Sequence, residues 1–192
     1  MTSGKLVGIT GYAESGKDEF AKSLALRARF HTMAMSDPLL EMARVLNPLL
    51  SYDDGQLFEL NRVLDALGYT EAKKIASVRH YLQILGTDAV REIIGNDSWT
   101  RAAERVFVPL LGEGRNVAIT GIRFDNEAAM IRAYGGVMVK IVREGVGPVN
   151  THKSDAIDNI HVDHVVWNNG SLNDLAREAQ HFIDNEVQNV GR

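Results

Sequence analysis

Residues 6–17 read Leu-Val-Gly-Ile-Thr-Gly-Tyr-Ala-Glu-Ser-Gly-Lys, and this stretch decides the fold. Leu6 to Thr10 is an apolar run of strand length that ends at a glycine. From Gly11 to Lys17 the spacing is G-x-x-x-x-G-K, the pattern of a phosphate-binding loop. Glycines at the two ends let successive backbone N–H groups turn toward one anion. A helix N-terminus adds positive potential, and the lysine reaches the outer phosphates. Beyond it, Phe20, Leu24 and Ala28 recur at helical spacing. Strand, glycine-rich loop and amphipathic helix in that order form the context the motif requires. Gly11, Tyr12, Ala13, Glu14, Ser15, Gly16, Lys17 and Asp18 are therefore candidate phosphate-site residues; the plainer alternative is an ordinary strand-to-helix turn with a solvated lysine.

Asp18 stands where the common pattern has Ser or Thr on a magnesium ion. A carboxylate about 4 Å from a phosphate charge is repelled by roughly 4 kcal/mol at an effective dielectric of 20. A cation must intervene, supplied by Mg²⁺, Lys17 or an arginine. Asp18 is thus a candidate to hold the metal through water or to accept a proton, unless it only favours the first turn of its helix.

Outward from the loop, Thr32 to Met35 reads as a second strand ending at Ser36-Asp37, with Pro38 in the first turn of a helix. Leu57, Leu60, Leu64 and Leu67 fall at helical spacing before Gly68, and Thr70 suits the N-cap of a helix running to about Leu85. Asp97 would cap the next helix. Asn116 to Thr120, Val137 to Val142 and His164 to Trp167 read as strands. Asp125 or Asn126 caps a helix that stops at Gly135-Gly136. Ser171 caps a last helix, whose apolar face is Leu172, Leu175, Ala176, Ala179, Phe182 and Ile183. Strands alternating with helices at both ends predict an α/β fold, a three-layer parallel sheet of about five strands. A helical substrate lobe is expected to be inserted at about residues 38–112 of a single domain spanning 1–192.

Composition narrows the chemistry. With 192 residues, 45% hydrophobic and 24% charged, the chain suits one globular domain. A net charge of −4 argues against a nucleic-acid polymer as the main partner. No cysteine is present, which excludes thiolate catalysis and cysteine-held metals. Without a long apolar run or a leader pattern at Met1–Thr10, the expectation is a cytoplasmic protein with no membrane partner.

A second constellation follows the strand ending at Thr120: Gly121-Ile122-Arg123-Phe124-Asp125-Asn126-Glu127. Ligands of open parallel sheets bind beyond the carboxyl ends of the strands, so Arg123 and Glu127 are expected near the phosphate loop. Arg123 can clamp a phosphate bidentately, though it also suits a surface or helix-capping role. Gly121 occupies a place where many such proteins carry a magnesium-associated aspartate, which gives Asp18 more of the metal. In the middle of the chain, Arg79 and Gln83 lie four apart on one expected helix face, near Gly86, Thr87 and Arg91. They offer donors to a second anion or simply a solvated face. Trp99 would stack on a base or belong to the core.

Taken together, SGKD at Ser15–Asp18, SDPL at Ser36–Leu39, LQxLGTDxVR at Leu82–Arg91, Trp99, RFxNE at Arg123–Glu127 and HxSD at His152–Asp155 resemble the deoxynucleoside monophosphate kinases of tailed bacteriophages. The similarity runs in the same order through to the NNGSLNDL segment. It implies phosphoryl transfer from ATP to a deoxynucleoside 5′-monophosphate, with Mg²⁺. By position, Gly11–Asp18 would hold the ATP phosphates, with Lys17, Asp18 and Arg123 catalytic and Asp18 at the metal. Arg143 would lie on the adenine or lid side. Asp37, Arg79, Gln83, Thr87, Arg91, Trp99, Arg123 and Glu127 would serve the acceptor. A homodimer in the cytoplasm of a phage host is also implied. Gly121 and Leu40 depart from the group's usual acidic residue and lysine. Alternatives are a related small-molecule kinase, acting on phosphomevalonate or dephospho-coenzyme A, and a nucleotide-binding regulatory NTPase.

Overall fold

The computed structural model describes residues 4–148 and 157–187, so the HxSD block at His152–Asp155 lies outside the described residues. Strand β1 is Leu6–Thr10, and all its residues are buried. A strand buried on both faces belongs inside a parallel sheet covered by helices. That is where it sits: the sheet order is β2-β5-β1-β6-β7, with β2 His31–Ala34, β5 Val117–Thr120, β6 Val137–Val142 and β7 His164–Trp167, all neighbours parallel. Pairing Ile9 with Thr120 and Thr10 with Lys140 brings the C-terminal ends of β5, β1 and β6 to one edge of the sheet.

Helices α1 (Lys17–Ala28) and α7 (Leu172–Phe182) cover one face. Phe20, Ala21 and Leu24 of α1 and Leu175, Ala179 and Phe182 of α7 pack in one cluster with Val7, Ile9, Val139 and Ile141. The Phe20 and Phe182 rings meet edge to face at 5.8 Å, and each fully buried large side chain contributes about 1.5–3 kcal/mol. On the other face, a Cβ on Gly8 would come within 2.9 Å of Ile131 in α6 (Asp125–Ala133). The predicted three-layer α/β sheet is the observed one.

The chain divides into two compact units, Met1–Met35 with Ala103–Arg192, and Ser36–Ala102. The second unit holds α2 (Asp37–Leu46), the hairpin β3 (Leu49–Ser51) with β4 (Leu57–Glu59), α3 (Leu60–Ala72), α4 (Ala76–Gln83) and a π-helical segment, Ile84–Ile94. Helix α5 follows at Ser98–Gly112.

Several local expectations change. Leu57 pairs with Ser51 in the hairpin instead of opening a helix. Its leucine spacing mimics a helix, but α3 starts only at Leu60, because its first donors are taken from a distance: Asn61 N–H donates to Asn47 Oδ1 (2.9 Å) and Leu60 N–H to Pro48 O (3.1 Å). Gly68, at φ 75° and ψ 165°, is non-helical and stops the first of the two helical pieces within Leu60–Ala72, where the sequence expected a stop. Thr70 lies inside the second piece, and α4 is entered from Ile75. Helix α6 is capped at Phe124, one residue before Asp125, because the Glu127 carboxylate reaches back to the Phe124 N–H.

Candidate functional site

After β1 the backbone turns back on itself, with Ser15 N–H donating to Tyr12 O at 3.2 Å. Gly16 then takes φ 97°, a left-handed conformation that glycine adopts without steric cost, and α1 begins at Lys17. The loop is tightly built. A Cβ on Gly11 would stand 2.6 Å from Ser15 Oγ and 2.7 Å from Ile141 O.

Lys17 points back over this loop. Its Nζ lies 3.4 Å from Tyr12 O and 3.8 Å from the Asp18 carboxylate, and its side chain is only 14% exposed. Burial pushes its pKa below the ordinary lysine value. Asp18 works against that shift, while the positive charge of Arg123 adds to it. A mostly desolvated ammonium held below its normal pKa is a strong partner for an incoming anion. Ser15 Oγ is buried and lacks a hydrogen-bond partner among the described residues. A loop that holds an orphaned hydroxyl and ends on a desolvated cation fits a phosphate group. A metal fits less completely, since no three His, Asp or Glu side chains cluster among the described residues. Asp18, 66% exposed, is the carboxylate nearest to Lys17.

Arg123 is held from two sides. Ile122 N–H donates to Ile9 O (3.2 Å), and Thr10 Oγ1 donates to Ile122 O (2.7 Å), tying the segment to β1. The buried Glu127 accepts the Arg123 N–H at 2.7 Å. Glu127 therefore sets the backbone at Arg123, and spacing alone did not distinguish that role from ligand contact. Gly121 has φ 76°, which an L-residue adopts only at a cost of roughly 1–2 kcal/mol. This disfavours a carboxylate at that position. Arg143 is exposed in the turn after β6.

Sequence reasoning missed three residues around the loop. Asn168, buried after β7, donates its side-chain amide to Ser15 O at 2.8 Å. Asp158 accepts the Tyr12 hydroxyl at 2.6 Å and the Lys140 ammonium at 2.7 Å. Those bonds, Lys140 first and Tyr12 second, hold the Asp158 carboxyl below the usual carboxylate range. A signal existed for one of them, since Lys140 interrupts the apolar strand Val-Met-Val-Lys-Ile-Val.

Asp37, Arg79, Gln83, Thr87, Arg91 and Trp99 all belong to the second unit. Asp37 is exposed, and Arg79 and Gln83 are half-buried on α4. Thr87 and Arg91 are buried in the π-helical segment. Arg91 donates to the Asn96 carbonyl and side chain at 3.0 and 3.1 Å. Trp99 is 6% exposed, and its indole N–H donates to Gly86 O at 2.7 Å. Its ring is packed in the core, so it does not offer an open face for stacking a base.

A model of the deoxynucleotide monophosphate kinase family matches residues 56–179. The chain belongs to that family. It is a phosphotransferase with a P-loop kinase fold, and the match spans the second unit's α3, α4 and π-helical segment together with β5, β6, β7 and most of α7. A protein of Acanthamoeba polyphaga mimivirus, provisionally named a deoxynucleotide monophosphate kinase, is 28% identical over 95% of this chain and 98% of its own length. The deoxynucleotide monophosphate kinase of Escherichia phage RB69 is 29% identical over 56% of this chain and 45% of its own length. Among solved structures, a provisionally named kinase from Chloroflexus aurantiacus aligns with a TM-score of 0.50 at 12% identity, over 96% of this chain and 98% of that one. A sugar kinase from Janibacter aligns equally well, TM-score 0.50 and 12% identity, over 94% and 95%. These two likenesses concern the fold alone. Among the described residues no helix is long and apolar enough to cross a membrane.

Proposed function

We propose that this family member transfers the γ-phosphoryl group of ATP to a deoxynucleoside 5′-monophosphate, giving ADP and the deoxynucleoside diphosphate. The observation that carries the donor half is Lys17, a desolvated ammonium at the head of α1 lying 3.4 Å from the loop carbonyl of Tyr12. In the transfer, the bond between the γ-phosphorus and the β,γ-bridging oxygen breaks, ADP keeps the electron pair, and an acceptor phosphate oxygen forms the new bond. The acceptor oxygen is already ionised at neutral pH, so the reaction asks for positioning and charge neutralisation more than for a strong base.

The residues divide that work. The loop amides from Gly11 to Asp18 orient the donor phosphates, and Lys17 neutralises their outer oxygens. Arg123 supplies a second positive charge, its backbone fixed by Glu127. Mg²⁺, when bound, would screen donor from acceptor, and Asp18 is the carboxylate that this reading assigns to it. Arg79 and Gln83 are the acceptor-side donors that the reading assigns to the second unit, and it assigns Asp37 of the same unit to the acceptor as well. Arg91 and Thr87 shape the π-helical segment, with Trp99 beneath it. Arg143, exposed after β6, is assigned to the adenine side.

A coupled assay with ATP, Mg²⁺ and each common deoxynucleoside monophosphate tests the reading. Turnover with at least one of them is expected, lost in Lys17→Ala. Consumption of a different phosphorylated metabolite, with none of the deoxynucleotides used, would overturn the acceptor assignment and leave the kinase fold standing.

A further inference from the structure

We infer that Asn168 is a positioning residue that fixes the direction of the Gly16 N–H in the phosphate loop. The inference rests on the reading of residues 11–18 as the phosphate site. A trans peptide unit is planar, and its C=O and N–H point in opposite directions. The Ser15 carbonyl and the Gly16 N–H belong to one such unit. The Asn168 amide holds the Ser15 carbonyl at 2.8 Å on the buried side of the loop. The Gly16 N–H of the same plane is therefore turned the opposite way.

A latch is needed here because this peptide unit is unusually free to turn over. Gly16, at φ 97°, lacks the Cβ that would otherwise restrict it. A flipped unit would present a carbonyl oxygen in place of an N–H donor, replacing attraction for phosphate with repulsion. Asn168 is itself anchored. Its own N–H donates to Val142 O at 2.7 Å, continuing the β6–β7 pairing, and the residue is 7% exposed. The fit is so close that a Cβ on Gly16 would collide with the Asn168 side-chain amide. Gly16 therefore serves two needs at once, a left-handed backbone and room for the latch.

The chemistry of the side chain separates a latch from a filler. Asn168→Asp keeps shape and volume but faces the Ser15 carbonyl with a second acceptor, whereas Asn168→Ala only removes the donor. Losing one buried hydrogen bond that orients the loop is expected to raise KM for ATP about tenfold. Because the loop grips donor phosphates alike before and during transfer, kcat and the acceptor KM should change much less. Asn168→Asp should be worse than Asn168→Ala, and in both ligand-free variants the Gly16 amide resonance should move, more than the resonances of α1.

The experiment measures KM and kcat for both substrates, the Gly16 amide by ¹⁵N-correlated NMR, and the thermal shift given by inorganic tripolyphosphate. An Asn168→Asp protein matching wild type in donor KM and Gly16 resonance would overturn the inference. So would collapse of both variants to unfolded chains, which would make Asn168 a residue of the fold. If wild type itself gains no stability from tripolyphosphate, the phosphate-site reading fails. The ligand-free Gly16 resonance still decides whether Asn168 sets that peptide.

Discussion

Lys17 is under two opposed demands. Folding would rather leave an ammonium in water, whereas a phosphate site needs it dry and aimed inward. Burial lowers its pKa, so between that lowered value and the ordinary 10.5 the folded chain binds fewer protons than the unfolded one. Stability attributable to Lys17 therefore rises with pH across that window and carries its full cost below it. Lys17→Met should stabilise the ligand-free protein by roughly 0.5–2 kcal/mol in chemical denaturation while reducing turnover at least about 10²-fold. Equal stability at pH 7 would mean that the ammonium is better solvated than its 14% exposure suggests. The positions of Lys17 and Asp18 at the head of α1 and of Arg123 just after β5 were legible because they lie in short spacings next to strands. Asn168 and Asp158 were not, since their partners Ser15 and Tyr12 stand 153 and 146 residues away and no periodicity links them.

The same contrast between local and distant partners separates the helices. Ser171 was readable as a cap, and its hydroxyl accepts the Asp174 N–H while the Asp174 carboxylate accepts the Ser171 N–H. Ser171→Ala should cost about 1 kcal/mol, read as a shifted denaturation midpoint with unchanged slope. The start of α3 was misread because its cap is Asn47, which sits in the left-handed region (φ 40°) closing α2 and also receives the Asn61 N–H. Asn47→Ala removes that acceptor and puts alanine where asparagine is better tolerated. It should cost about 1–3 kcal/mol, more than Ser171→Ala. A smaller loss than Ser171→Ala would show that water replaces the Asn47 side chain. The leucines from Leu57 to Leu67 fit helical spacing, yet Leu57 is 60% exposed on a hairpin. Periodicity reports which spacing is allowed, and a partner elsewhere in the chain decides which is used.

For the whole molecule, the net charge of −4 excludes broad electrostatic attraction for nucleotides, so binding must come from a few placed cations. The parallel sheet was legible because β1 and β5 are buried throughout and read as uninterrupted apolar runs. The second unit was harder, since its short hairpin and π-helical segment have no comparable pattern. A consequence for unfolding follows from the division of labour. The phosphate loop and Arg123 belong to the unit containing the sheet, whereas Arg79 and Gln83 belong to the other. A ligand that binds only the folded state adds RT ln(1 + [L]/Kd), about 2.7 kcal/mol at a hundredfold excess over Kd. For a protein of this size that corresponds to roughly 5–11 °C in Tm. Calorimetry with Mg²⁺ and ATP should move the transition in which the sheet unit melts by that amount, and Lys17→Met should abolish the shift. If the two units melt separately, ATP should leave the second transition in place and a deoxynucleoside monophosphate should raise it. An ATP shift that survives in Lys17→Met would place the donor phosphates somewhere other than this loop.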